Sequence, residues 1–202
     1  MADDAKVDPR QTIEVLLREL DARTAERDEA LAERAAMAEI VQIINSSPGD
    51  LVPVFDTILE KAHALCDVAY GALALYDGEN FCAVAIRGYP EAVAELIRRP
   101  FRGNVFHRRL ESGERYVHIP DTRAVASGLS DAVGQASLDT VRTNLMVALR
   151  KDGKLLGHIS ASRREVRPFS EKEIALLQNF AAQAVIAVEN ARLLTDTREA
   201  LE

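Results

Sequence analysis

Tryptophan is absent from this 202-residue sequence, and aromatic residues make up only 5% of it. Any core must therefore be built mainly from aliphatic side chains and alanine. Cysteine occurs twice, at Cys66 and Cys82. That excludes a disulfide framework, and the two lack metal-ligand spacing. No apolar run approaches the roughly 18–20 residues of a membrane span. Residues 1–10 are polar and acidic, without the charged-then-apolar layout of a secretion signal, so a cytoplasmic location is expected. Positive charge is short: 25 Lys and Arg stand against 32 Asp and Glu. A net charge of −7 argues against sequence-independent nucleic-acid binding, which rests on cationic contacts to phosphate.

What is present is a chain 48% hydrophobic, enough for one domain of ordinary size plus extra helix. Residues 11–45 are strong helix formers without an internal Gly or Pro, and Pro48-Gly49 follows as a stop. The apolar positions repeat about every seven residues: Ile13, Leu17, Leu20, Thr24, Leu31, Ala38 and Val41, with Arg27 and Arg34 interrupting the seam. A long helix with so narrow a stripe needs a partner helix. The plainer alternative for 1–27 is a solvated charged arm.

Asp50 reads as the N-cap of a second helix over 51–66, with Pro53 tolerated in its first turn. The period then changes. Runs 69–76 and 81–87 flank Asp77-Gly78-Glu79-Asn80, a strand–turn–strand pattern. Short helices are predicted over 90–99 and 104–112, the latter capped by Asn104 and stopped by Gly113. A strand over 115–119 closes at Pro120-Asp121, and 122–143 reads as loop with one or two helical turns. Segments 144–150 and 154–161 form a hairpin around Asp152-Gly153, a pair that favours the type I′ turn. Ser170-x-x-Glu173 is a capping box opening a final helix that reads as helix to Glu202. Over 174–194 this helix is apolar nearly all round, which calls for packing on a sheet and on another helix. The order predicts an α+β domain: an antiparallel sheet with the terminal helices on one face and short helices and loops on the other.

Several segments, in order, resemble the GAF family. They are Gly71-Ala-Leu-Ala-Leu-Tyr-Asp-Gly78, Leu110-Glu-Ser-Gly-Glu114, His118-Ile-Pro-Asp121, Asn144-Leu-Met-Val-Ala-Leu-Arg150, Asp152-Gly-Lys-Leu-Leu-Gly157, Arg167-Pro-Phe-Ser170 and Ala184-Val-Ile-Ala-Val-Glu-Asn-Ala-Arg-Leu193. The resemblance covers about 37–194. It implies a six-stranded antiparallel sheet and a small-molecule pocket between the sheet and the loop-bearing face. It also implies residence in a larger signalling protein, such as a bacterial sensor histidine kinase or nucleotide cyclase, often with modules in tandem. The expected layout is an N-terminal coiled-coil helix over 1–36, the GAF domain over 37–194 and the start of a linker helix over 195–202.

Few residues are candidates for sharper chemistry. Some relatives reduce free methionine sulfoxide with a nucleophilic thiol, but Cys66 ends an amphipathic helix, Cys82 lies in a strand, and neither matches that subgroup. Bilin-binding relatives attach the chromophore to a cysteine before the fifth strand, and 122–143 contains none. Haem needs an axial histidine; His107 and His118 are the candidates, with His158 in the last strand and His63 on a helix facing solvent. The signature of cyclic-nucleotide binders is not found. Arg98, Arg99, Arg102, Arg108 and Arg109 form either an anion site or a solvated patch. No catalytic residue, metal ligand or cofactor is assigned.

Topology and resemblance place Phe101, His118, Asp121, Thr143, Asn144 and Met146 around the expected pocket, although Phe101 and Met146 read more readily as plain core. Two readings remain open: a ligand-binding sensor, and a dimerisation spacer whose pocket is closed by side chains. In both, a parallel homodimer forms through Leu17, Leu20, Leu31, Val188, Ala191 and Leu194. Leu177, Phe180 and Ala184 are expected to face the core, and Ala187, Ala191 and Leu194 the partner. The last helix has no terminal Gly or Pro, so it is expected to continue into an output domain in cis.

Overall fold

An unbroken run of helix formers produces α1, Pro9–Ser46, in the computed structural model, which describes residues 9–47, 49–129 and 131–200. Pro48, read as the stop of this helix, and the last residues Leu201 and Glu202 lie outside that range. The chain divides into two compact units, Met1–Met37 and Ala38–Glu202. The described part of the first is the N-terminal stretch of α1. Its repeat residues Ile13, Leu17, Leu20 and Leu31 are each more than half exposed.

Within the second unit, α1 buries Ile40 and Ile44, while Ala38 and Val41 of the seven-residue repeat stay exposed. Glu39 pairs with Lys61 of α2 (Val52–Cys66) at 2.6 Å. Helix α2 buries Val54, Phe55, Ile58, Leu59, Ala62 and Cys66, a spacing that keeps one stripe on the sheet. Its cap position is Leu51, not Asp50. The Asp50 carboxylate still accepts the Val52 N–H at 3.1 Å. Asp67, left-handed at φ 45°, ends the helix.

Five antiparallel strands follow: β1 (Tyr70–Tyr76), β2 (Phe81–Arg87), β3 (Tyr116–Ile119), β4 (Thr143–Lys151) and β5 (Lys154–Arg163), ordered β2-β1-β5-β4-β3. These match the five runs read from the residues, and they correct the six strands that the resemblance implied. Beside β2 the pairing is a single bridge, in which Phe81 and Phe101 exchange N–H···O bonds of 2.8 and 2.9 Å. Residues 99–103, between α3 (Glu91–Arg98) and the Asn104 cap of α4 (Val105–Glu111), make only this bridge.

Asp152 (φ 49°) and Gly153 (φ 79°) make the expected positive-φ turn between β4 and β5. Gly157 lets β5 approach β1: a Cβ there would stand 2.1 Å from the Ala74 carbonyl oxygen. Strand alternation then sorts the side chains. Leu73, Leu145, Val147, Leu149, Ile159 and Ala161 are buried on the face covered by α2 and α6 (Glu171–Glu199). The other face carries rows running β1–β5–β4: Tyr70–Ser162–Asn144, Ala72–Ser160–Met146 and Ala74–His158–Ala148. It is covered by α3, α4, a 3₁₀ segment (Thr122–Gly128) and α5 (Ala132–Leu138).

The capping box of α6 is formed: Ser170 N–H donates to Glu173 Oε2 at 2.8 Å, and Glu173 N–H to Ser170 Oγ at 3.3 Å. Leu177, Phe180 and Ala184 are buried as expected. Ala187, expected at the partner, is instead 4% exposed and borders a crevice with Ile44 and Val54 of its own chain. Among the described residues, no helix is long and apolar enough to cross a membrane.

Candidate functional site

Alanines at 72, 74 and 83, where a sheet core normally carries branched residues, leave room under the sheet. The result is a cavity of about 80 Å³, walled by the strand face, α3, α4 and the 122–143 segment. Two histidines meet on its wall. His158 projects from β5 between Ala74 and Ala148 of the neighbouring strands. His107 comes from α4, where its Nδ1 lies 3.2 Å from the Asn104 N–H and completes the expected Asn104 cap as a capping box. Gly103 allows that close approach, since a Cβ there would stand 2.5 Å from His107 Cβ.

The two rings are 5.1 Å apart edge to face, and Phe81 lies 4.7 Å from His107 and 5.3 Å from His158. Burial drives both histidines toward the neutral form. It lowers His107 to about 4, against a small opposing effect of Asp131. His158 lies well below its ordinary value, through burial and then the neighbouring His107. The Nδ1 atom of His158 is buried without a hydrogen-bond partner.

Other polar groups on the wall are already engaged. Thr122 Oγ1 donates to the Val141 carbonyl at 2.5 Å, and Ser137 Oγ to the Val133 carbonyl at 2.8 Å. Tyr89 stacks on Tyr70 at 5.0 Å, and its hydroxyl lies 3.1 Å from Ser162 Oγ, which in turn donates to Asn144 Oδ1 at 3.3 Å. Among the described residues, no Asp, Glu, Lys or Arg lines the cavity.

Of the residues expected at the pocket, the structure brings Phe101, Asn144 and Met146 to this wall. His118 and Asp121 are elsewhere, in a separate crevice of about 290 Å³ with Phe106, Arg109 and Val125. Thr143 is fully buried and clasps two loops: its single O–H lies within hydrogen-bond reach of the carbonyls of Pro120 (2.8 Å) and Glu165 (2.9 Å), and its oxygen accepts the Arg167 N–H at 3.0 Å. Alternation explains the split: Thr143 and Asn144 are adjacent on β4 and point to opposite faces, as do His118 and Ile119 on β3. His107, His158, Tyr89 and Ser160 line the wall as well, beyond the residues expected there. Their signal in the sequence is the alternation of His158, Ser160 and Ser162 along β5.

The remaining candidates have structural neighbours. His118 Nε2 accepts the Phe169 N–H at 3.1 Å, and burial together with Arg163 lowers its pKa. His63 does not face solvent as expected; it is half-buried over Gly71 and Gly88, with burial and then Arg87 lowering its pKa. Cys66 is buried, and the Cys82 thiol, off the cavity wall, donates to the Arg98 carbonyl at 3.1 Å. In the arginine cluster, Arg98 pairs with Glu91, Arg102 with Glu79 and Arg109 with Glu114, all at the exposed surface. Such pairs do not converge on a shared anion. Among the described residues there is no group of three or more His, Cys, Asp or Glu placed to hold a metal ion.

Comparison with solved structures returns the same architecture. The GAF domain of an Acinetobacter phosphoenolpyruvate-protein phosphotransferase superposes with a TM-score of 0.64 at 18% identity, covering 79% of this chain and 93% of that one. A free methionine-R-sulfoxide reductase from Neisseria meningitidis, in complex with its substrate, gives 0.64 at 19% identity, covering 83% and 93%. The blue-light absorbing form of the Thermosynechococcus elongatus PixJ GAF domain gives 0.59 at 22% identity, covering 75% and 92%. At these identities the likeness shows fold alone. The model of the GAF domain family matches residues 50–188, from the start of α2 through most of α6. With that match over more than half of its length, the chain belongs to the GAF domain family, whose members are typically sensory or regulatory modules of bacterial signalling proteins.

Proposed function

We propose that this chain is a non-catalytic input module that dimerises through α1 and α6, takes a small molecule in the cavity beneath the sheet, and relays its occupancy to an output domain in cis. The observation that carries the ligand-binding reading is the unpartnered Nδ1 of His158 on a buried wall. A buried polar atom without a partner costs free energy, and a bound group that satisfies it recovers that cost. The exposed stripe Ile13, Leu17, Leu20 and Leu31 supports association with a second helix, because an isolated helix so lined gains by covering it. The absence of a thiol from the cavity wall supports a binding role rather than sulfoxide reduction. Mass spectrometry of small molecules released from natively purified protein tests the reading. A stoichiometric small molecule supports it, and its loss in an Ala74→Met variant would locate it in the cavity.

The second reading, a dimerisation spacer, is favoured by the size of the cavity. About 80 Å³ is small beside the roughly 300–1,000 Å³ of ordinary ligand pockets. A protein that purifies empty, and whose melting temperature no small-molecule library member raises, would establish the spacer instead.

A further inference from the structure

Among the described residues, the cavity wall holds one buried polar atom without a partner, Nδ1 of His158, and no Asp, Glu, Lys or Arg. Around it, Thr122, Ser137, Tyr89 and Asn104 have protein partners. The other orphaned buried atoms, on His63, Asp131, Arg150 and Arg163, belong to residues outside the wall. We propose that the cavity selects a small, uncharged, mostly apolar molecule carrying a single hydroxyl, seated against His158. This rests on the reading of the cavity as a ligand site and adds the chemical class of the ligand.

Three observations set that class. Charge is excluded by the wall: a carboxylate or ammonium group entering here loses its hydration and meets no counter-charge. Burial keeps His107 and His158 neutral, so neither supplies a cation to an anionic ligand. Polarity is limited, because Nδ1 of His158 is the one buried atom without a partner among the described wall residues. A hydroxyl both donates and accepts, and so serves either tautomer of His158. Size is limited by volume: about 80 Å³ is close to half of the roughly 150 Å³ of an apolar cavity that takes benzene. An alcohol smaller than benzene, such as ethanol, therefore fits where a nucleotide or tetrapyrrole does not. The apolar part of such a molecule lies against Ala72, Ala74 and Ala83, whose short side chains create the space.

The test uses the full chain, labelled for amide NMR, with xenon, ethanol and sodium acetate as probes. Xenon and ethanol are expected to shift the amides of Ala72, Ala74 and His158. Acetate, of similar size but charged, is expected to bind at least about tenfold more weakly. If acetate binds as well as the alcohol, the proposed class is overturned while the ligand-site reading stands. If neither xenon nor ethanol reaches these amides, the cavity is inaccessible, and the ligand-site reading falls with the proposal. In a His158→Leu variant xenon binding is expected to persist while alcohol affinity drops at least about threefold; unchanged alcohol affinity overturns the role of His158. Should that variant fail to fold, the wild-type probe series still decides.

Discussion

The guanidinium of Arg163 lies 4.0 Å from the ring centroid of Phe169, and the side chain is only 2% exposed. It donates to the carbonyls of Cys66 (2.6 Å), Arg167 (2.8 Å) and Pro168 (3.2 Å), and it pairs with the Glu173 carboxylate. One buried cation thus joins the end of α2, the end of β5 and the first turn of α6. Arg163→Ala leaves those carbonyls and Glu173 without their partner and opens a void. It is expected to cost about 3–5 kcal/mol. A melting temperature lowered by only a degree or two, with Arg163→Lys no better than Ala, would contradict this role.

Charging the α1 stripe should dissociate the dimer without unfolding the sheet. Leu17 and Leu20 are 55% and 61% exposed in the single chain, so Leu17→Glu/Leu20→Glu removes no packing within it. Sedimentation equilibrium is expected to move from a dimer to a species near 22.2 kDa, with the strand signal in circular dichroism retained. Val188, Ala191 and Leu194 are partly covered by their own chain, and Leu194 Cδ1 stands 3.5 Å from where a Cβ of Gly49 would be. Charges there would mix folding with association. A wild-type protein that is already a monomer at micromolar concentration ends the dimer reading.

Stability should fall on mild acidification. His107 titrates at about 4 when folded, against an unfolded value of 6.5. Between those values the unfolded chain binds more protons, so stability is complete above about pH 6.5, is lost as pH falls, and stops falling near pH 4. From pH 7.5 to 5, His107 alone accounts for about 2 kcal/mol, and His158 shifts in the same direction. The carboxylates held low act below this window. Asp121 is held there by Arg142; for Glu173, burial pulls upward but Ser170 and Arg163 outweigh it. Urea midpoints flat from pH 7.5 to 5, or an equal slope in His107→Gln, would refute the assignment.

Two glycine replacements compare crowding added to a positive φ, at Gly157 (156°), with a positive φ alone, at Gly153. At Gly157 a Cβ would collide with the Ala74 carbonyl oxygen at 2.1 Å, so Gly157→Ala must part β1 from β5 and is expected to cost more than about 2 kcal/mol. At Gly153 nothing lies within 4 Å, and only the positive φ of 79° resists a side chain. Gly153→Ala is expected to cost about 1 kcal/mol. Equal shifts of the urea midpoint would show that the β1–β5 approach is not tight.

What could be read from the residues alone was what depends on neighbours in the chain. The Asn104 cap, the Ser170–Glu173 capping box, the Asp152-Gly153 turn and the breakerless run of α1 each formed as expected, because a cap or turn is satisfied within a few residues. Five strands could be counted from their periods, whereas the sixth, borrowed from the family, reduced to the Phe81–Phe101 bridge between two helices.

The cavity was beyond reach for the opposite reason. His107 and His158 lie on different elements, and whether their rings meet depends on how α4 settles over the sheet. The face on which Asn144 rather than Thr143 lands is set by the register of β4 against β5, which pairs Asn144 with Ser162 and Thr143 with Arg163. Alternation says that neighbours point apart; it does not say which of them points inward. That choice belongs to the tertiary structure, where Arg163 is drawn to the carbonyls at the α2 and α6 ends and His158, of opposite parity on β5, is turned toward the alanines.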